Sequence, residues 1–176
     1  MLISPEYRDL NHQLHQTRPD YGTTVKKYVE QIDHMAQSVG AVSVLDYGCG
    51  KGLLAEALPH LLIAEYDPAI AGKDAPPDQA DLVVCVDVLE HIEPECLDAV
   101  LDDLHRLTRK AIFLTVATRP AVKFLADGRN AHLIVEPFDW WRPRLEARFK
   151  ARLCHTSEGE FALFATPRPK IDRTAA

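Results

Sequence analysis

VLDYGCGKG, residues Val44 to Gly52, opens like a strand and then abandons side chains: Gly48, Gly50 and Gly52 alternate with Cys49 and Lys51. Glycine lets a backbone bend sharply and lets a ligand lie against the main chain. The amides of such a loop, placed at a helix N-terminus, face whatever sits there. The spacing is acidic-x-G-x-G-x-G, which differs from the G-x-G-x-x-G of dinucleotide loops. A carboxylate at Asp46, at the strand end, would repel a pyrophosphate and suits a ligand with a positive group. Asp67 follows 21 residues later in EYDP, where an acidic residue suits ribose hydroxyls.

Outward from this turn the chain alternates. Residues 24–38 carry Val25, Tyr28, Val29, Ile32 and Met35 at helical spacing, with Thr23 or Thr24 as cap and Gly40 past the end. Strands are predicted at 41–45 and 61–66, with a helix over 52–58 that Pro59 limits. PAIAGKDAPPDQA, residues 68–80, reads as loop. DLVVCV contributes a buried parallel strand over 82–86. An amphipathic helix follows over 94–107, and another buried strand over 111–117. Residues 118–137 form a long polar connection, the kind that is often functional in a compact domain. A helix over 138–149 needs Pro143 near its first turn. Strands at 150–155 and 161–166 flank TSEGE as a hairpin. The expected fold is α/β: a Rossmann-like, doubly wound, mostly parallel sheet with helices on both faces and a C-terminal antiparallel hairpin. Only thirteen residues separate Asp67 from Asp81. A crossover needs at least ~10–12 residues beside its strand, so one strand–helix unit is expected to be shortened or missing.

A chain of 176 residues is read as one domain: an N-terminal helical segment over 1–40, a core over 41–167 and a tail over 168–176. The net charge of −6 argues against a nucleic-acid partner, and Arg142, Arg144, Arg148, Lys150 and Arg152, then Arg168, Lys170 and Arg173, read as a solvated helix face and a frayed tail. MLISPEYRDL has no apolar signal core, and no apolar run approaches the ~20 residues of a membrane span. Four cysteines without a C-x-x-C pair suit reduced thiols, so the expected location is cytoplasmic. No metal-ligand spacing is visible; His12 and His15 read as helix-surface histidines.

With VLDYGCGKG, YDP and DLVVCVDVLEHI (Asp81 to Ile92) in order, the chain resembles class I S-adenosylmethionine-dependent methyltransferases over residues 20–167. It is also similar to short bacterial and phage members that share LHQTRPDYGT and DGRNAHLI. The resemblance implies S-adenosyl-L-methionine as cofactor. Asp46, Gly48, Cys49, Gly50 and Gly52 would hold its methionine part, with Asp46 near the ammonium, directly or through water. Tyr66 and Asp67 would meet the ribose. Asp87, Val88 and Leu89 would line the adenine or sulfonium side, and Tyr21 with Gly22 would fold over the cofactor. The acidic residue that often holds the adenine in relatives has no obvious counterpart; Asp74 and Asp78 sit in a loop that reads as solvated.

Methyl transfer needs a nucleophile about 3 Å from the sulfonium methyl, aligned and dehydrated, and a hydroxyl nucleophile needs a base. His91 and His132 are the candidate bases; His91 could instead only hold its loop. Glu90 is either a third candidate or a structural cap. Arg119 either meets an acidic substrate or is a surface charge. Trp140 and Trp141 read as core anchors rather than pocket walls. The expected acceptor is a small or glycan-like molecule. Three alternatives stand beside this one: a non-catalytic binding module of the same fold, a nicotinamide-dependent dehydrogenase, and a nucleic-acid methyltransferase, whose N-P-P-Y-type tetrapeptide is absent.

Overall fold

A computed structural model describes residues 1–18 and 22–169. The chain runs α1 (Pro5–Thr17), a 3-10 turn at Thr24–Tyr28, α2 (Val29–Ser38), β1 (Val44–Tyr47), α3 (Leu53–Ala57), β2 (Ile63–Tyr66) and β3 (Ala80–Val86). It continues with short 3-10 turns at Leu89–His91 and Pro94–Cys96, then α4 (Leu97–Leu107), β4 (Thr108–Ala117), α5 (Phe138–Glu146), β5 (Phe149–Ser157) and β6 (Glu160–Pro167). The strands form one sheet in the order β2-β1-β3-β4-β6-β5. The first four are mutually parallel, and β6 pairs antiparallel with both β4 and β5.

Successive side chains point to opposite faces, so the central strands β1 and β3 and most of β4, buried on both faces, are largely apolar, whereas the edge strands β2 and β5 are not. Leu45, Val83, Cys85, Ile112 and Leu114 face one layer with Leu101, Leu104 and Trp141 of α4 and α5. Val44, Leu82, Val84 and Phe113 face the other, with Ile32 of α2 and Leu54 of α3. Trp141 is fully buried and its indole N–H donates to the Glu136 carbonyl at 3.2 Å, so it is the core anchor the sequence predicts. Trp140 is half-buried, with the Arg144 guanidinium 3.6 Å above its ring.

Several boundaries differ from expectation, for identifiable reasons. β1 starts at Val44 because the Asp81 carboxylate and the Ser43 hydroxyl hold residues 42 and 43 in a side-chain-bonded turn. β4 starts at Thr108, since a register irregularity in β3 lets Ala80 pair with it. The first turn of the predicted 24–38 helix is 3-10. Pro143 lies inside α5, not in its first turn; the missing N–H would have faced Asp139, which is exposed to water. Between β2 and β3 there is neither helix nor strand. β2 is therefore the sheet edge, and the missing unit that the thirteen-residue interval implies is missing.

The sequence analysis did not delimit α1. Ser4 caps it, accepting from the Tyr7 amide at 3.1 Å, and Pro5 occupies its first turn. Its inner face, Tyr7, Asn11 and Leu14, packs on Leu125 and Ala131 of the 118–137 connection. Ser4 also bonds the Glu93 carboxylate at 2.6 and 2.8 Å, and the Tyr7 hydroxyl donates to the His91 carbonyl. The first helix is thus strapped over the carboxyl ends of the strands. Arg168, expected in a frayed tail, donates to the Glu146 and Phe149 carbonyls, and Arg148 pairs with Asp98 and Asp102. Residues 170–176 lie outside the described residues. Among the described residues no helix is long and apolar enough to cross a membrane.

Candidate active site

Strand order reverses at β1: the chain goes outward to β2, then returns across β1 to β3. Ligands of such sheets bind beyond the strand ends at that switch. A cleft opens there, beneath α1. Gly48 and Gly52 both have left-handed backbones, at φ +77° and +81°. A side chain at Gly48 would run into Val88, and one at Gly52 would overlap the Glu65 carboxylate. The glycine loop is therefore pressed between the loop after β3 and the edge strand.

The loop is held from β2. The Tyr66 carbonyl accepts from the Gly48 and Cys49 amides at 2.7 and 3.1 Å. Asp67 accepts from the Gly50 amide at 3.1 Å and the Ala69 amide at 2.9 Å. Asp46 is 4 % exposed, and its Oδ2 has no hydrogen-bond partner among the described residues. Burial first, then the Glu65 charge, pushes its carboxyl up to about 7, with Lys73 opposing. Once ionised, a buried carboxyl with one oxygen left without a partner attracts a cation. Burial, and then the Asp46 charge, pushes the Cys49 thiol up, so this sulfur is no nucleophile.

The predicted cofactor residues divide. Asp46, Gly48, Cys49, Gly50, Asp67, Asp87 and Val88 line the cleft, as does Gly22. Gly52, Tyr66 and Leu89 do not. Gly52 starts α3 behind the loop, Tyr66 packs its ring on Tyr47, and Leu89 is fully buried in the core. These three lie behind the residues that line the cleft. Tyr21 lies outside the described residues. Asp74 and Asp78 are exposed, away from the cleft, as a solvated loop requires. His12 and His15 are corrected: neither is a plain surface residue. His12 Nδ1 lies 3.0 Å from the Ala69 carbonyl oxygen, and His15 lines the cleft with Nε2 3.9 Å from Asp67. Burial lowers the His15 pKa. The signal for α1 was present in Ser4-Pro5 and the Tyr7, Asn11, Leu14 spacing.

A second, polar cavity adjoins the cleft. The two share Gly22, Thr24, Asp87 and His91 as a common wall. Lys27, Arg119, Lys123, His132 and Glu160 complete the second cavity. His91 and His132 stack edge to face, with centroids 4.7 Å apart. The Nδ1 of His91 lies 2.8 Å from the Ala131 carbonyl, and that of His132 lies 2.6 Å from the Arg119 carbonyl. A carbonyl only accepts, so both rings are protonated at Nδ1 and carry the lone pair on Nε2. Glu90 is neither base nor helix cap. Its buried carboxyl accepts from the Ala117 amide at 2.5 Å, and its carbonyl accepts from Ile134 at 3.0 Å. Burial, and then the Asp87 charge, raises its pKa well above the usual value. Burial opposes ionisation at Asp87 too, but His91, the Thr24 hydroxyl and Glu90 outweigh it and hold that carboxyl below the ordinary value. Burial lowers His91 to about 4 against the pull of Asp87.

Residues 13–162 match the family model described as "Methyltransferase domain". The DhpI–SAH complex covers 95 % of this chain and 100 % of its own at 16 % identity, with a TM-score of 0.65. The N-methyltransferase NodS from Bradyrhizobium japonicum WM9, solved with S-adenosyl-L-homocysteine, matches at 12 % identity over 93 % and 100 %, with a TM-score of 0.60. The Burkholderia thailandensis 1,6-didemethyltoxoflavin-N1-methyltransferase matches at 15 % identity over 95 % and 92 %, with a TM-score of 0.61. No curated protein sequence matches the chain. The chain belongs to the methyltransferase-domain family and is a class I S-adenosylmethionine-dependent methyltransferase. The dehydrogenase alternative falls with that membership.

Proposed function

We propose that the chain, acting as one methyltransferase domain, transfers the methyl group to an oxygen or nitrogen of a small or glycan-like acceptor seated in the polar cavity. The observation that carries this reading is the wall shared by the two cavities at Gly22, Thr24, Asp87 and His91. A sulfonium in the cleft would present its methyl across that wall. In this reading Asp46 takes the ammonium of the cofactor, a charge-assisted contact that satisfies its lone Oδ2. Asp67 takes the ribose while bracing Gly50. His132, 8 % exposed, is the base: its Nε2 accepts the acceptor's proton as the bond to the methyl carbon forms and the carbon–sulfur bond breaks. His91 is the second base candidate on the same wall.

The cavity also suggests the acceptor's character. Lys27, Arg119 and Lys123 line it against the carboxylates Asp87 and Glu160, and Glu160 already accepts from the Tyr28 hydroxyl. That balance suits an acceptor with an acidic group. Small molecules are what a fold neighbour takes: the Burkholderia enzyme holds 1,6-didemethyltoxoflavin.

Calorimetric titration with S-adenosylhomocysteine, beside reduced nicotinamide as control, tests the cofactor half. Micromolar binding of the former alone supports it, and no binding favours the non-catalytic module. A screen of small acidic acceptors, read by S-adenosylhomocysteine release, tests the other half. His132→Ala is expected to keep cofactor affinity and lose about 10²-fold or more in turnover. Unchanged turnover would remove the base assignment.

A further inference from the structure

The side-chain ligand atoms of Asp87, His91 and His132 all lie within 4.8 Å of one another. They come from the end of β3, the turn after it and the 118–137 connection, so no local spacing announces them. Two features go beyond proximity. First, both imidazoles direct Nδ1–H at a backbone carbonyl, which turns both Nε2 lone pairs to the far side of the ring. Metal-ligating histidines are oriented by such a contact. Second, Asp87 has φ +59°, the one positive φ outside glycine among the described residues. Backbone strain at a non-glycine persists only where the surroundings impose it. Here the Thr115 hydroxyl accepts from the Asp87 amide at 3.1 Å, and the Thr24 hydroxyl donates to its Oδ2 at 2.8 Å. The strain places that carboxylate on the wall between cleft and polar cavity.

We propose that Asp87, His91 and His132 bind a divalent transition cation whose open positions face the polar cavity and take the acceptor's oxygen. Two imidazoles and one carboxylate suit Mn²⁺, Fe²⁺, Co²⁺ or Zn²⁺ rather than Mg²⁺ or Ca²⁺, which prefer all-oxygen shells. Metal–ligand distances near 2.1 Å place neighbouring ligand atoms about 3 to 3.5 Å apart. The cluster therefore tightens by rotamer adjustments of roughly an ångström. This inference rests on the reading that the acceptor enters the polar cavity. With a cation present, the imidazoles give their lone pairs to it, and the cation replaces His132 as the group that makes the acceptor nucleophilic. A coordinated hydroxyl releases its proton to water through the cavity mouth. Its oxygen then forms the bond to the methyl carbon as the carbon–sulfur bond breaks, giving a methyl ether and neutral S-adenosylhomocysteine.

The test is Co²⁺ titration of the chelator-stripped chain, followed by visible absorption, with S-adenosylhomocysteine calorimetry run in parallel. One Co²⁺ per chain is expected, with binding weakened at least about tenfold in His132→Ala and in Asp87→Asn. His155→Ala, on the exposed hairpin, is expected to leave it unchanged. Circular dichroism and retained S-adenosylhomocysteine binding by His132→Ala separate loss of the ligand from loss of the fold. A wild-type chain that binds S-adenosylhomocysteine and no Co²⁺ overturns the metal site and leaves the base reading standing. Co²⁺ binding that survives both substitutions also overturns it. Co²⁺ binding that both substitutions weaken, without S-adenosylhomocysteine binding, upholds the metal site while the proposed function falls.

Discussion

The cofactor cleft and the polar cavity share a wall, yet they are built in opposite ways. The cleft floor comes from two short segments, 46–50 and 67–69, whose contacts are largely backbone. Its defining groups are conformations: left-handed glycines and amides braced by Asp67. The polar cavity is made of side chains from five places, at residues 22–27, 87–91, 119–123, 131–132 and 160. The first kind of site tolerates little change because a loop has one way to fit. The second kind can trade side chains without disturbing the sheet. Substitutions in the cleft are therefore expected to cost cofactor binding and stability together, and substitutions at cavity residues outside the shared wall to cost acceptor use alone.

Gly48→Ala is the most severe test. It meets a left-handed backbone and the Val88 side chain at once. The two costs are about 1–2 and 1–3 kcal/mol. S-adenosylhomocysteine affinity and melting temperature are both expected to drop. Adding Val88→Ala should return the packing share and leave the conformational share, which a double-mutant cycle would read. Full recovery would mean that the backbone at Gly48 is not strained by a side chain.

Asp46→Asn comes next. Losing a charge-assisted contact to the ammonium costs about 1.5–3 kcal/mol, or roughly 10- to 150-fold in affinity. The pH dependence sharpens the point. With its carboxyl raised to about 7 by burial and Glu65, against Lys73 and with Asp67 adding, Asp46 binds a cation well only above that pH. Affinity is expected to fall by up to about tenfold per unit below pH 7 in the parent chain, and this slope should vanish in Asp46→Asn. The unliganded fold has the opposite slope. Between the unfolded value near 3.9 and about 7 the folded chain holds the proton that the unfolded chain releases, so stability declines as pH rises. A thermal-melt series in which both chains share one slope would remove Asp46 as its source.

Asp67→Ala is expected to weaken S-adenosylhomocysteine about tenfold and also to speed hydrogen exchange at the Gly50 amide, since the carboxylate that braces the loop is the one proposed to hold the ribose. Unchanged affinity with faster exchange would confine Asp67 to the loop. The brace on Gly50 was not visible in the sequence, although Asp67 itself was. The difference follows from range. The glycine loop, Asp46 and the absent strand–helix unit are written in contiguous residues or in a simple interval. Tyr66 and Leu89 lie in equally suggestive segments, but strand alternation and the turn after β3 send their side chains into the core. α1 carried a local signal in its cap and spacing, but its place over the cleft was hidden, because that depends on packing against residues 125 and 131. The Asp87, His91 and His132 cluster needed the 118–137 connection to fold back across β3, which no spacing of 87, 91 and 132 encodes.

The mildest effect is expected at Arg119, and it probes the cavity side alone. Its stem lies against Gly159 in the hairpin turn, and its backbone carbonyl accepts from the Nδ1–H of the His132 imidazole. Arg119→Gln keeps most of the stem and the carbonyl while removing the charge. The guanidinium is exposed, so its pull on an anionic acceptor is screened and amounts to about 0.2–1 kcal/mol. The acceptor KM should therefore rise only about 1.4- to fivefold at low salt, and the difference should shrink as salt is added. S-adenosylhomocysteine affinity and melting temperature should not move. A change in kcat with KM constant would place Arg119 on the transition state instead, and a change in cofactor affinity would mean that the two cavities are less separable than their shared wall implies.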